Sequence, residues 1–182
     1  MLFGIKEFDS EYQKAIEFAV DAHGDQMYGN VPYVMHLVQV SQVLVRYGFG
    51  PWLEDDYERA RSRRLILAAI LHDVIEDTHV TREEVAEVFG DDVALLVYAV
   101  SNEPGKNRRE RHAKSHGKII EIKDAIILKL ADRIANIEHC HTKKKNLLGM
   151  YRKEWSAFKA KLQGSTNAPA EMWEYLERLI AR

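Results

Sequence analysis

Apolar residues recur at helical spacing along nearly the whole chain, with polar residues between them. In the first such segment, one helix face would contain Tyr12, Ala15, Ile16, Ala19, Val20 and His23. Ser10 precedes this face and is a suitable N-cap, so we expect the first helix to begin there. No segment shows the sustained alternation of apolar and polar residues that a half-buried strand requires. The pattern therefore predicts an all-α protein.

Capping and turn residues predict where the later helices begin and end. The segment 24–32 is expected to be a loop that turns at Gly29. Thr81 and Glu84 have the spacing of a capping box, and Gly90 is expected to end the helix that follows. The predicted helices cover about residues 33–47, 55–75, 81–90, 91–100, 124–139, 145–162 and 170–180. The polar segment 101–118 is either a loop or a surface helix.

Composition and charge narrow the class of protein. No linker is long enough to divide the chain, so residues 1–182 are expected to form a single domain. The longest apolar run, 65–71, is too short to cross a bilayer, and the N-terminus lacks a signal-peptide pattern. The net charge of -2 argues against a general nucleic-acid binder. We therefore expect a cytoplasmic protein whose partner is neither nucleic acid nor a membrane, and an oligomer is compatible with the sequence.

The densest cluster of reactive side chains lies at residues 72–77, directly after the most apolar run. It contains His72, Asp73, Glu76 and Asp77. On a continuous helix, Glu76 would follow His72 by one turn and Asp77 would follow Asp73, so each pair would share a face. The first pair could then hold a cation, while the second pair reaches the space above it.

Two further candidate ligands interrupt apolar helices elsewhere. Taken alone, His36 is most simply a core histidine, and Asp132 an ion-pair partner of Lys129 or Arg133. When His36 and Asp132 are considered together with the His72-Asp73 pair, a core histidine and a simple ion pair become weaker explanations. Because Cys140 is the only cysteine, any metal must use nitrogen and oxygen ligands. Such a set favours Mn²⁺, Fe²⁺ or Mg²⁺ over a structural Zn²⁺.

A metal held in this way suits the hydrolysis of a phosphate ester. It would activate water and polarise a phosphoryl oxygen. Glu76 and Asp77 would then act as the catalytic acid and base, taking a proton from the water and returning one to the leaving group.

Three motifs carry a resemblance to a known family. The segments 23–26 (His-Gly-Asp-Gln) and 32–36 (Pro-Tyr-Val-Met-His) look like its opening motif. The segment 72–78 matches an H-D-x-x-E-D-T core, and 129–136 matches a K-L-A-D-R-x-x-N helix. The sequence thus resembles the HD superfamily, and within it the hydrolase domain of the alarmone synthetase-hydrolases and the small alarmone hydrolases of the metazoan SpoT-homologue type.

This resemblance implies an HD-domain helical bundle that removes the 3′-pyrophosphate from (p)ppGpp with Mn²⁺ as cofactor. The metal ligands that it implies are His36, His72, Asp73 and Asp132. It also implies that Asn136 and Tyr151 contact the nucleotide and that Arg111 faces its phosphates. Relatives commonly carry a basic pair where this chain has Met27-Tyr28, so Tyr28 is expected to bind the base by stacking.

Two other functions stay open at this stage. One is an HD phosphohydrolase acting on another nucleotide, such as NADPH, ppApp or a deoxynucleotide. The other is a binding protein that senses a nucleotide or neutralises a toxin without turnover. The presence of both Glu76 and Asp77 argues against the binding protein, because a sensor needs neither an acid nor a base.

Overall fold

The computed structural model describes residues 2–106, 108–142, 145–165 and 167–182, and it is almost entirely helical. Its elements are α1 (Leu2–His23), β1 (Met27–Tyr28), β2 (Val31–Pro32), α2 (Val34–Arg46), α3 (Asp56–Leu71), α4 (Val74–Asp77), α5 (Arg82–Phe89), α6 (Asp91–Val100), α7 (Arg108–Glu121), α8 (Lys123–Thr142), α9 (Lys145–Leu162) and α10 (Ala170–Ala181). A 3-10 turn at Gln163–Ser165 follows α9. The predicted all-α fold class is confirmed.

Helices α3 and α8 form the centre of the molecule. The C-terminal half of α3 is buried on every side, with 2% or less of each residue from Leu65 to Leu71 exposed. It packs against α1, α2, α6 and α8, while α8 also contacts α7, α9 and α10. A helix that is apolar all round can be stable only inside such a shell. The apolar run noted in the sequence is therefore the core, and the His72-Asp73 pair follows it directly.

Local capping explains several helix ends. The Asp55 side chain accepts a hydrogen bond from the backbone N–H of Glu58 at 2.9 Å and caps α3. Both hydrogen bonds of the predicted capping box between Thr81 and Glu84 are present at the start of α5. Gly90 ends α5 with a φ of 95°, a left-handed conformation that favours glycine. These sequence predictions are confirmed.

The structure corrects the start of the first helix. Helix α1 begins at Leu2, so Ser10 lies inside the helix and does not cap it. The apolar face extends one turn further back than the sequence analysis recognised, because Phe8 stacks on Tyr12 with 6.0 Å between ring centroids.

Two other segments gain defined structure. The segment expected to be a loop contains the short hairpin β1–β2, in which Tyr28 pairs with Val31 across a turn at Gly29. Two-residue strands are too short to produce a detectable alternation. The segment left open between a loop and a surface helix forms α7 from Arg108 onwards.

The predicted helix through Ile75 is wrong, because α3 ends at Leu71 and α4 begins at Val74. In a continued helix, the carbonyl of Ala69 would accept a hydrogen bond from the backbone N–H of Asp73. Instead, Nδ1–H of the His72 side chain donates to that carbonyl at 2.8 Å. His72 and Glu76 therefore do not share one helix, although the backbone N–H of Asp77 still donates to the Asp73 carbonyl at 2.8 Å.

None of the helices in the described ranges is long and apolar enough to cross a membrane.

The capping box gives a prediction about stability. Replacing Thr81 by Ala should lower the free energy of unfolding by about 1 kcal/mol, because the backbone N–H of Glu84 loses the hydroxyl that accepts its hydrogen bond at the start of α5. Thr81→Ser keeps the hydroxyl and is the control. Urea unfolding should show a lower midpoint for Thr81→Ala with an unchanged slope, and equal midpoints for the two variants would contradict the capping role.

Candidate functional site

The four predicted metal ligands converge from three parts of the chain. His36 lies on α2, His72 and Asp73 lie at the break between α3 and α4, and Asp132 lies on α8. Ligand atoms of His36, His72 and Asp73 are within 4.8 Å of one another. Oδ1 of Asp132 is 3.4 Å from Nε2 of His36 and 3.8 Å from Nε2 of His72. The arrangement depends on the close packing of α2, α3 and α8.

The hydrogen bond and the raised pKa of His72 indicate that this cluster of side chains can hold a cation. Because Nδ1–H donates to the carbonyl of Ala69, Nε2 carries the lone pair that a metal ligand needs. This Nε2 atom is buried, has no hydrogen-bond partner and lies 3.0 Å from Oδ2 of Asp73. Burial lowers the pKa of His72, but Asp73 and Asp132 outweigh it and raise the pKa to about 9. The site thus favours a positive charge at Nε2, which a proton or a divalent metal can supply.

The two carboxylates are held in their charged form. Burial raises the pKa of Asp73, but the adjacent His72 outweighs it and holds that pKa below its usual range. For Asp132, Lys129 outweighs burial and lowers the pKa in the same way, with help from both histidines. Ionised carboxylates next to imidazole nitrogens form a donor set suited to a divalent cation.

Neighbouring side chains fix the orientation of these carboxylates. The hydroxyl of Tyr33 donates to Oδ2 of Asp73 at 2.6 Å. The side-chain amide of Asn136 donates to both the carbonyl and Oδ1 of Asp132. Nζ of Lys129 lies 3.3 Å from the other oxygen, Oδ2, of Asp132. Such outer contacts are what keep metal ligands in place.

The two predicted catalytic carboxylates have different surroundings. Glu76 accepts two hydrogen bonds from Asn102, one at each carboxylate oxygen. Asp77 accepts a long hydrogen bond from Gln26, at 3.3 Å, and also interacts with the Tyr33 hydroxyl. Desolvation and the nearby charge of Asp73 raise the pKa of Asp77. Glu76 is thus arranged as a proton acceptor, while Asp77 has the raised pKa that suits a proton donor.

The two predicted catalytic carboxylates and most of the residues around the predicted ligands line a polar cavity of about 200 Å³. Its acidic lining consists of Asp73, Glu76, Asp77 and Asp132, and its basic lining of Lys129 and Arg133. Ligand pockets for drug-sized molecules usually measure about 300–1,000 Å³. The cavity therefore has room for an ion and a phosphate group, and the rest of a nucleotide would extend outside it.

The structure separates the predicted substrate-binding residues. Asn136 and Tyr151 line the cavity. Arg111 is not among the lining residues: it lies on α7 beside Gly105, and its carbonyl accepts a hydrogen bond from the hydroxyl of Ser115. The basic contact that the resemblance implied is thus not at the cavity itself.

Tyr28 packs behind the metal cluster and does not line the cavity. Its ring stacks on His36 with 4.6 Å between centroids and lies 4.2 Å from His139, and its hydroxyl donates to Oδ1 of Asn136 at 2.9 Å. The pleat of the hairpin turns Tyr28 inwards and leaves Met27 54% exposed. Tyr28 thus packs on the predicted ligand His36, and its stacking on a base stays a prediction.

Several residues that line the cavity had no assigned role in the sequence. Lys129 and Arg133 appeared only as ion-pair partners and as members of a family motif, although Lys129 lies one turn before both Asp132 and Arg133 on α8. Tyr33 was quoted as part of a motif without a role. Asn102 gave no signal, because its contact with Glu76 joins residues 26 positions apart.

Comparisons with known proteins agree with this geometry. A family model for the HD domain matches residues 15–158. A guanosine-3′,5′-bis(diphosphate) 3′-pyrophosphohydrolase of Aquifex aeolicus is 36% identical over 133 residues, which are 70% of this chain and 17% of that relative. The MESH1 enzyme of the same name from Danio rerio is 32% identical over 129 residues, 68% of this chain and 66% of that relative. The chain thus spans only a small part of the bacterial relative's length.

A solved structure of a metazoan orthologue of SpoT, described as hydrolysing ppGpp, superposes with a TM-score of 0.73. The match covers 94% of each chain at 23% sequence identity, which shows a shared fold. The predicted helical bundle and the resemblance to the HD superfamily are confirmed. Because the matched segment contains all four predicted ligands and most of the chain, the protein belongs to the HD domain family.

Proposed function

We propose that this chain is a (p)ppGpp 3′-pyrophosphohydrolase that uses Mn²⁺. The observation that carries the proposal is the buried, unpartnered Nε2 of His72 facing Asp73 beside a phosphate-sized cavity. The names of the relatives from Aquifex aeolicus and Danio rerio support the choice of substrate. A donor set of imidazoles and carboxylates without cysteine supports Mn²⁺, with Fe²⁺ or Mg²⁺ as alternatives.

His36, His72, Asp73 and Asp132 would hold the metal. When bound, the ion would lower the pKa of a coordinated water and polarise a phosphoryl oxygen of the substrate. The residues of the chain supply the remaining steps, which are the orientation of the ligands, the binding of the phosphates and the transfer of protons.

Glu76 takes the proton from the attacking water, because it lines the cavity and two donors on Asn102 hold its carboxylate as an acceptor. The new bond joins the water oxygen to phosphorus, and the bond from phosphorus to the ribose 3′ oxygen breaks. Asp77 returns a proton to that leaving oxygen, a role that its position at the cavity and its raised pKa favour. The products are a nucleoside 5′-diphosphate and pyrophosphate.

Lys129 and Arg133 supply the positive charge that a pyrophosphate group requires. Arg133 is only 4% exposed, and its guanidinium lies over the rings of Tyr151 and Phe158, 4.9 and 4.3 Å from their centroids. This stacking and the hydrogen bond from Nη1 to Glu154 at 3.2 Å fix the guanidinium where Arg133 lines the cavity, beside the proposed position of the phosphates. Arg111 stays a candidate for phosphates that extend beyond the cavity.

Other assignments belong to the same proposal. A single buried core includes residues from Ala15 in α1 to Ile180 in α10, which supports one domain over residues 1–182. A cytoplasmic location, a small nucleotide as substrate and the lack of a nucleic-acid or membrane partner stay predictions from the sequence, as does the compatibility with an oligomer. The different surroundings of Glu76 and Asp77 favour an enzyme over a sensing or toxin-neutralising protein.

The metal site gives the first functional prediction. Wild-type protein should bind about one Mn²⁺ per chain, and His72→Ala should abolish binding because it removes a buried ligand. The matched control is His79→Ala, which removes an exposed histidine seven positions later. Calorimetric titration measures the affinities, and circular dichroism checks the fold. Equal Mn²⁺ binding by wild type and His72→Ala would rule out the site.

The catalytic pair gives the second prediction. Glu76→Gln should lower kcat by about 10²- to 10⁴-fold while Mn²⁺ affinity stays nearly unchanged, since general acid-base groups contribute in this range. Glu83→Gln removes an exposed carboxylate on α5 and should behave as wild type. If Mn²⁺ binding is lost together with activity, Glu76 is a ligand and not a base.

The substrate gives the third prediction. Mn²⁺-loaded protein should convert ppGpp to GDP and pyrophosphate, and it should also accept ppApp, because the nucleoside lies outside the cavity and Tyr28 is occupied by His36 and Asn136. Met27→Arg restores a cation at an exposed hairpin position and should increase the preference for guanine by up to about thirtyfold. Met27→Gln, of similar length without the charge, is its control.

The assay is ion-exchange chromatography of a panel of ppGpp, ppApp, NADPH and deoxynucleoside phosphates after incubation with the protein and Mn²⁺. Turnover of NADPH or deoxynucleotides with both 3′-pyrophosphorylated nucleotides left intact would reject the alarmone assignment and leave an HD phosphohydrolase of another nucleotide.

A further inference from the structure

The segment between α6 and α7 reaches back to the catalytic pair. Its residue Asn102 lines the cavity and contacts Glu76 at two points. The backbone N–H of Asn102 donates to Oε2 of Glu76 at 2.8 Å, and the side-chain amide donates to Oε1 at 2.9 Å. Asn102 therefore donates a hydrogen bond to each of the two carboxylate oxygens of Glu76.

The backbone on both sides of Asn102 is itself fixed. Ser101 is buried, and its hydroxyl donates to the carbonyl of Val97 at 2.8 Å. Nζ of Lys118, on α7, donates to the Ser101 carbonyl at 3.1 Å and forms an ion pair of 2.6 Å with Glu103. The backbone N–H of Glu103 donates to the hydroxyl of Ser115 at 3.0 Å. Asn102 is thus held between α6 and α7 and can act as a rigid support.

We infer that Asn102 is a positioning residue that orients Glu76 for proton transfer. The inference depends on the role of Glu76 as the general base, which belongs to the proposed function. A glutamate side chain has three rotatable bonds, and two fixed donors select one orientation of its carboxylate. The lone pairs not used by Asn102 then remain for the attacking water.

The chemistry of the donors suits this role. Amide groups carry no net charge, so Asn102 orients the carboxylate without cancelling the negative charge that attracts a proton. A lysine or arginine in the same place would form an ion pair, as Lys129 does with Asp132 at 3.3 Å. Asp77, whose proposed task is to donate a proton, has a looser contact, a hydrogen bond of 3.3 Å from Gln26.

The experiment is a double-mutant cycle on Mn²⁺-loaded protein with ppGpp as substrate. Asn102→Ala removes the side-chain donor and keeps the backbone one, so kcat should fall by about 10- to 100-fold, with KM and Mn²⁺ affinity within about twofold of wild type. In the Glu76→Gln background, Asn102→Ala should cause no further loss of kcat, because its effect passes through Glu76. Single-turnover measurements with excess enzyme extend the range for the slow variants.

Two further variants test the same contact and provide a control. Asn102→Asp has the same shape but places a second carboxylate against Glu76, and it should lose more activity than Asn102→Ala. Asn167→Ala, which removes an exposed asparagine before α10, should behave as wild type. Urea unfolding of each variant shows whether it folds, and Asn102→Asp serves as the test if Asn102→Ala does not.

The outcomes distinguish a failure of the positioning role of Asn102 from a failure of the base assignment of Glu76. Wild-type kcat in the folded Asn102 variants, or a full additional loss in the Glu76→Gln background, overturns the positioning role and leaves the base assignment intact. Wild-type kcat in Glu76→Gln overturns the base assignment first, and the inference with it. A rise in KM without a fall in kcat would make Asn102 a substrate-binding residue instead.

Discussion

Two partly buried carboxylates beside the same two histidines are the constraint on which this structure depends. The side chains of Asp73 and Asp132 are only 16% and 14% exposed, and an uncompensated negative charge in such a place is costly. Lys129 offsets part of the charge of Asp132, and His36 and His72 face the remainder. The protein can hold these carboxylates here only if positive charge balances them, which a proton on His72 or a divalent metal can supply. The packing of the helices and the charge balance of the site are therefore parts of one problem.

The break between α3 and α4 places a histidine nitrogen next to one of these carboxylates. By donating to the Ala69 carbonyl, the His72 side chain ends α3 and at the same time directs its second nitrogen towards Asp73. At this break, Nε2 of His72 lies 3.0 Å from Oδ2 of Asp73, so two consecutive residues present their side chains to the same site. The apolar run before them is fully packed in the core and fixes the position of the break.

The features that were predictable from the sequence are those encoded over short distances. Helical spacing, the capping box at Thr81 and the end of α5 at Gly90 each involve residues within one or two turns. The ligand set was predictable because charged residues in apolar runs need an explanation. The contact of Tyr28 with Asn136 joins residues 108 positions apart, and nothing in either local segment indicates it. Asn102 could not be predicted for the same reason, because its proposed role depends on how α6 and α7 pack.

The cavity and its surroundings divide the chemistry from the choice of substrate. Both proposed proton-transfer groups and three of the four proposed ligands, His36, Asp73 and Asp132, line a space of about 200 Å³, which has room for an ion and a phosphate group. A nucleoside must therefore be recognised at the cavity mouth, by side chains such as the exposed Met27 that take no part in the reaction. Substitutions there can change the preferred nucleotide without disturbing the buried charges. A chain with the family's metal cluster and an altered hairpin is thus expected to keep its reaction while its range of nucleotides changes.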